Sequence, residues 1–141
     1  MKRIIVTRPR LQADSLAGGL QAAGFEPVFF PVIEIRPVQD YSRLELALQN
    51  LHAYAWLVFT SVNGVNAVLD RFPLPTHPNG TSSPRYAAIG PKTAAALRER
   101  GLNPAFVPEE YVAEAILPGL GDLCGKWVLL PRAEIARKAL P

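Results

Sequence analysis

The chain is poor in the residues that build metal and redox centres: one cysteine, Cys124, and two histidines, His52 and His77, in 141 residues. A single cysteine closes no internal disulfide. No Cys-x-x-Cys or His-x-x-x-His spacing occurs, so a metal site would need carboxylates to complete it, and Cys124 reads as a small buried apolar residue. Long apolar runs are also missing. Only Ile4-Ile5-Val6 separates Met1-Lys2-Arg3 from Thr7-Arg8-Pro9, far short of a signal peptide's apolar region or of the roughly 20 residues that cross a bilayer. The expectation is a cytoplasmic protein with no membrane partner. Charge is sparse at 19%, with fifteen basic and twelve acidic residues giving +3. That surplus favours anionic ligands. It is scattered, and interrupted even at Arg98-Glu99-Arg100, so nucleic acid is not expected as a partner.

What the chain has is 49% hydrophobic residues, enough to offset ordering entropy in one domain or two small ones. Short aliphatic runs alternate with stretches whose apolar residues recur every three or four positions, the pattern of a parallel sheet with helical cover. Strands are expected at Arg3 to Val6, Val28 to Phe30, Trp56 to Phe59, Tyr86 to Ile89, Ala105 to Val107 and Trp127 to Leu130. Helices are expected on the stripes Ala13-Leu16-Ala17-Leu20, Leu44-Ala47-Leu48-Leu51, Val62-Val65-Val68-Leu69, Ala94-Leu97, Ala113-Ile116-Leu117-Leu120 and Ile135-Ala136-Ala139-Leu140. Gly18 and Gly19 each cost a helix interior about 0.5–1 kcal/mol, which points to close packing or a bend there. Pro31 to Pro37 reads as an extended strand or connector, and Phe72 to Pro84 as a surface loop. Gly24-Phe25-Glu26-Pro27-Val28-Phe29-Phe30-Pro31 is echoed by Gly101-Leu102-Asn103-Pro104-Ala105-Phe106-Val107-Pro108, which suggests two similar βαβ units.

Ligands of open parallel sheets bind beyond the carboxyl ends of the strands, where helix starts present unpaired N–H groups. The segments there are Thr7-Arg8-Pro9, Thr60-Ser61-Val62-Asn63-Gly64, Gly90-Pro91-Lys92-Thr93, Pro108-Glu109-Glu110 and Pro131-Arg132. Each is equally explicable as helix capping. No Gly-x-Gly-x-x-Gly or Walker loop follows a strand, no strand ends in an Asp cluster, and Ser61 lacks the flanking glycines of a nucleophile elbow. Hydroxyls, an amide, backbone donors and a few cations remain, a set suited to a ligand with several carboxylates or phosphates. General acids and bases are scarce; Glu109, Glu110 and Tyr111 are the titratable groups nearest a strand end.

Taken together, Ile5-Val6-Thr7-Arg8-Pro9, Pro31-Val32-Ile33-Glu34-Ile35, Trp56-Leu57-Val58-Phe59-Thr60-Ser61-Val62-Asn63-Gly64-Val65, Ala88-Ile89-Gly90-Pro91-Lys92-Thr93-Ala94, Val107-Pro108-Glu109 and Leu130-Pro131-Arg132 resemble the uroporphyrinogen-III synthase family. The resemblance covers the whole chain. It implies an α/β fold of two similar parallel-sheet, flavodoxin-like lobes joined by extended connectors. Residues 1–35 would form the first part of lobe one, and residues 36–141 lobe two. It also implies a cofactor-independent lyase of heme and tetrapyrrole synthesis, acting as a monomer. Such an enzyme closes linear hydroxymethylbilane into a macrocycle while inverting the fourth pyrrole ring. Hydroxide leaves a methylene, the substituted carbon of the terminal ring attacks to give a spiro intermediate, and the ring recloses in the other sense.

The pyrrole nitrogen expels the leaving group, so the protein's task would be to hold an eight-carboxylate chain folded. Thr7, Arg8, Ser61, Asn63, Gly64, Lys92 and Thr93 are the expected substrate-binding residues, with no metal. In the family the chain continues beyond the helix begun at Arg132 and completes lobe one, with a tyrosine proposed to assist the leaving group. These 141 residues are therefore expected to be an amino-terminal part, inactive, insoluble or associated with another chain when alone. The competing reading is a non-catalytic α/β domain that binds a small carboxylate or tetrapyrrole.

Overall fold

The structure is a computed structural model that describes residues 1–76, 84–110 and 112–132. It divides into two compact units, Met1–Gln39 and Asp40–Pro141.

The first unit is a single βαβ turn. β1 (Lys2–Val6) and β2 (Phe25–Phe29) pair in parallel, with Ile5 opposite Val28 and Val6 opposite Phe29. Between them runs α1 (Asp14–Ala22), packed on β2. Ala13 and Ala17, one turn apart, are buried, small enough to bring the helix close to the sheet. The ladder continues past β2, since Phe30 N–H donates to the Val6 carbonyl (2.9 Å) and Val32 N–H to the Thr7 carbonyl (3.2 Å). The rest of Pro31 to Pro37 has no regular structure and is exposed. Gly18 and Gly19 do not serve close packing as their position suggested. Nothing lies within 4 Å of where their side chains would be, because both face solvent on an unbroken helix.

In the second unit, α2 (Ser42–Gln49) leads to β3 (Tyr54–Phe59), α3 (Val62–Leu69), β4 (Arg85–Ala88), α4 (Pro91–Glu99), α5 (Ile116–Gly119) and β5 (Trp127–Leu129). The strands run parallel in the order β4-β3-β5. Side-chain alternation splits the core across this sheet. Leu57, Phe59, Tyr86 and Ala88 pack with Val65, Val68, Ala94 and Leu97 on one side. Trp56, Val58, Ala87 and Ile89 pack with Ile116 and Leu120 on the other. The central strand is buried on both faces, and the Trp56 indole N–H is satisfied by the Leu120 carbonyl at 3.0 Å.

Two expectations need correction. The strand expected at Ala105 to Val107 is a single bridge, Phe106 to Ala87, because Pro104 and Pro108 remove the flanking donors. The helix expected from Ala113 to Leu120 is a 3-10 turn, Ala113–Ala115, followed by four helical residues that Pro118 and Gly119 cut short. The order β4-β3-β5 sets the third strand of the unit beside its first. Here Phe106 lies outside β4, with Ala105 N–H bonded to the Tyr86 carbonyl at 2.7 Å. The short return after α4 causes this: Leu102 is buried, and its N–H bonds back to the Leu97 carbonyl (3.0 Å), so the chain re-enters at the outer edge. The helix expected on Ile135 to Leu140 and most of the loop after Thr76 lie outside the described residues.

The internal echo has a geometric counterpart. Gly24 (φ +80°) and Gly101 (φ +76°) end their helices in the left-handed conformation. Each donates its N–H three residues back, to Gln21 at 3.0 Å and to Arg98 at 2.9 Å.

Candidate functional site

Because β4, β3 and β5 are parallel neighbours, their carboxyl ends share one edge of the second unit. Ile89 N–H, just past β4, bonds to the Phe59 carbonyl at the end of β3 (2.9 Å). The chain leaves β3 through Thr60 and Ser61, whose extended backbone (φ −157°, ψ 156°) turns into α3. Ser61 Oγ accepts the Gly64 N–H at 3.1 Å, a side-chain N-cap that leaves the hydroxyl proton able to donate outward. Asn63 is exposed on the same turn.

Gly64 is where the neighbouring strand closes in. A β-carbon there would lie 3.3 Å from the Pro131 carbonyl oxygen, so the end of β5 rests against the first turn of α3. The next residue, Arg132, is half-buried. Beyond β4, the turn into α4 is made by buried Gly90 at φ +84°, a conformation that admits glycine, followed by Pro91 in the first helical turn. Lys92 is exposed. Thr93 departs from expectation: its side chain is only 4% exposed, and it has no hydrogen-bond partner among the described residues, so it does not present a donor at the surface.

The structure thus gathers Ser61, Asn63, Gly64 and Lys92 on one edge. Thr7 and Arg8 are exposed beyond β1 in the first unit, where they follow the same strand-end rule. Glu109 and Glu110 are exposed, and Tyr111 lies outside the described residues. The expected set omits Arg132, although the Leu130-Pro131-Arg132 segment signals a strand end. Cys124 is exposed, not buried as expected of its type, and among the described residues two titrations are shifted. Burial pushes the Tyr86 phenol, at the start of β4, up to about 12. Backbone and side-chain hydrogen bonds from Ser42 hold the Asp40 carboxyl below its ordinary range. Among the described residues, no group of three or more His, Cys, Asp or Glu side chains could hold a metal ion, and no helix is long and apolar enough to cross a membrane.

The family model described as uroporphyrinogen-III synthase HemD matches residues 14–141. A uroporphyrinogen-III synthase of Chlorobaculum parvum is 33% identical, over 100% of this chain and 57% of its own length. One from Synechococcus elongatus is 30% identical, over 94% of this chain and 51% of its own. The crystal structure of uroporphyrinogen III synthase from the extremely thermophilic bacterium Thermus thermophilus shares the fold, with a TM-score of 0.57 and 23% identity over 97% of this chain and 54% of that one. The chain spans about half the length of these relatives.

Proposed function

The chain belongs to the uroporphyrinogen-III synthase family, and from that membership we propose that its protein cyclises hydroxymethylbilane to uroporphyrinogen III, a cofactor-independent lyase reaction of tetrapyrrole synthesis. Water is lost overall. Hydroxide departs from the terminal methylene, and the carbon so exposed bonds to the substituted position of the fourth ring. The older bond from the neighbouring ring's methylene to that same position then breaks, the freed methylene carbon bonds to the fourth ring's unsubstituted position, and the proton there leaves, which inverts the ring and completes the loss of water. The substrate's own pyrrole electrons drive each step, and the protein holds the acidic side chains so that the rearranging closure is nearer than the direct one. In the second unit, the Ser61 hydroxyl and the α3 start at Asn63, with Lys92 of α4, take carboxylates, and Gly64, its N–H held by Ser61 Oγ, lines the site without donating. Thr93 is buried in the first turn of α4, beside Lys92. Thr7 and Arg8 supply further donors on the first unit. Two similar lobes, residues 1–35 with a later return and residues 36–141, complete this reading.

The family match over residues 14–141 carries the proposal. The gathering of donors on the carboxyl edge of a doubly wound sheet supports it. The test is to give fresh hydroxymethylbilane to the full-length protein and separate the oxidised products by chromatography. The type III isomer is expected. Only the type I isomer, in the amount buffer alone yields, would overturn the assignment.

A further inference from the structure

Doubly wound sheets open a crevice where the strand order reverses direction. In this chain the reversal falls between β3, the first strand of the unit, and β5, the third, which lies on the opposite side of β3 from β4. Two segments leave the sheet at that point: Thr60 to Gly64 from β3 and Leu130 to Arg132 from β5. They touch, since the missing side chain at Gly64 lets the Pro131 carbonyl come within 3.3 Å of its β-carbon position. Arg132 therefore emerges beside the α3 start, one residue past that contact.

We infer that Arg132 is a further substrate-binding residue, its guanidinium taking one carboxylate of the tetrapyrrole at the reversal between β3 and β5. The inference rests on the proposed function and adds a cation to it. Arg132 is not a loose surface charge: it is half-buried and engaged by an interaction within the chain. Lys92, by contrast, is exposed and sits beyond β4, on the far side of β3 from the reversal. A guanidinium meets a carboxylate through two parallel N–H donors, which fixes orientation as well as charge. Orientation is what a flexible chain closing in one of two senses requires.

The experiment uses the full-length protein as wild type, Arg132→Gln and Arg132→Lys, with Arg98→Gln on the exposed side of α4 as control. Affinity is read by fluorescence titration with uroporphyrin III, an octacarboxylate macrocycle that needs no turnover to bind. KM and kcat are read with hydroxymethylbilane. Loss of a charge-assisted hydrogen bond should weaken porphyrin affinity and raise KM by about tenfold or more, with kcat within about threefold and Arg98→Gln unchanged. Arg132→Lys should fall between, because it keeps the charge and loses the fork. Wild-type affinity and KM in Arg132→Gln would overturn the inference. Should that variant fail to fold, Arg132→Lys decides, and wild-type values there would overturn it. A wild-type protein that binds porphyrin through Arg132 but cyclises nothing would sink the functional reading and leave the carboxylate site standing.

Discussion

The ring of Phe106 fills the space that a side chain on Gly119 would need. A β-carbon at Gly119 would overlap Cζ and Cε1 of the Phe106 ring. Phe106 is the residue that bridges to Ala87 at the outer edge of β4, and it packs against the cluster containing Ile116 and Leu120. Gly119→Ala therefore has to swing the ring out of that cluster. Overpacking of this kind costs about 1–3 kcal/mol, and urea unfolding should show the midpoint falling with an unchanged slope. Phe106→Leu in the Gly119→Ala background should restore part of the loss, because the shorter side chain vacates the contested space.

Tyr86 gives the fold a pH limit. Its hydroxyl donates to the Pro75 carbonyl at 2.6 Å, and burial raises the phenol from about 10 to about 12. The folded state holds this proton more tightly than the unfolded chain does. Stability from Tyr86 is thus fully present below pH 10 and is lost as pH rises toward 12. Tyr86→Phe should remove that component of the alkaline loss and cost about 1 kcal/mol at neutral pH through the missing hydrogen bond. Absorbance titration at the phenolate band, paired with thermal melts, checks both. Ionisation of Tyr86 near pH 10 in the native protein would contradict it.

Thr93 separates packing from binding. A buried hydroxyl without a partner among the described residues carries a desolvation cost, so Thr93→Val, nearly the same shape, should leave the protein as stable or more stable by about 1 kcal/mol. Porphyrin affinity should be unchanged. A stable Thr93→Val protein with affinity weaker by about tenfold or more would return this hydroxyl to the binding surface.

Ser61 has two duties that different substitutions divide. Ser61→Ala removes the acceptor for Gly64 N–H and should cost about 0.5–2 kcal/mol of stability. Ser61→Asp keeps a capping oxygen and adds a negative charge favourable to the α3 start, so stability should recover. If this edge receives carboxylates, the aspartate repels them, and porphyrin should bind Ser61→Asp more weakly than Ser61→Ala. Equal affinities would show that Ser61 is a cap alone.

Much of this architecture is legible in the sequence because its signals are local. Ile4-Ile5-Val6 and Trp56-Leu57-Val58-Phe59 are strands, and the glycines at 24 and 101 end helices. Legibility fails where non-local contacts or proline decide. Ala105 to Val107 has strand composition, but its flanking prolines leave it a single bridge. Leu102 sends the Phe106 segment outward by packing beside Leu97, which no window of composition reveals. At the site, capping chemistry marks Ser61 directly. The burial of Thr93 and the contact of Gly64 with Pro131 depend on how α4 and β5 pack, so residue pattern alone puts Thr93 at the surface and leaves Arg132 without a role.

The isolated chain carries an association hazard in its first unit. Ile5 and Val28 are opposite one another across the β1–β2 pair and are 65% and 37% exposed, and Phe30 just beyond is 65% exposed. α1 covers the other face, where Val6 is buried. Among the described residues this is a two-stranded sheet with an open apolar face and two unpaired edges, a template for further strands. Residues 1–141 expressed alone should therefore self-associate, with light scattering rising with concentration. Ile5→Lys together with Val28→Thr places a charge and a hydroxyl on that face without touching Val6, Ala13 or Ala17. The double variant should stay monodisperse at concentrations where the parent does not, with its far-ultraviolet circular dichroism unchanged. Association that persists in the double variant would assign the hazard to another surface, with the exposed Trp127 on β5 the next to test.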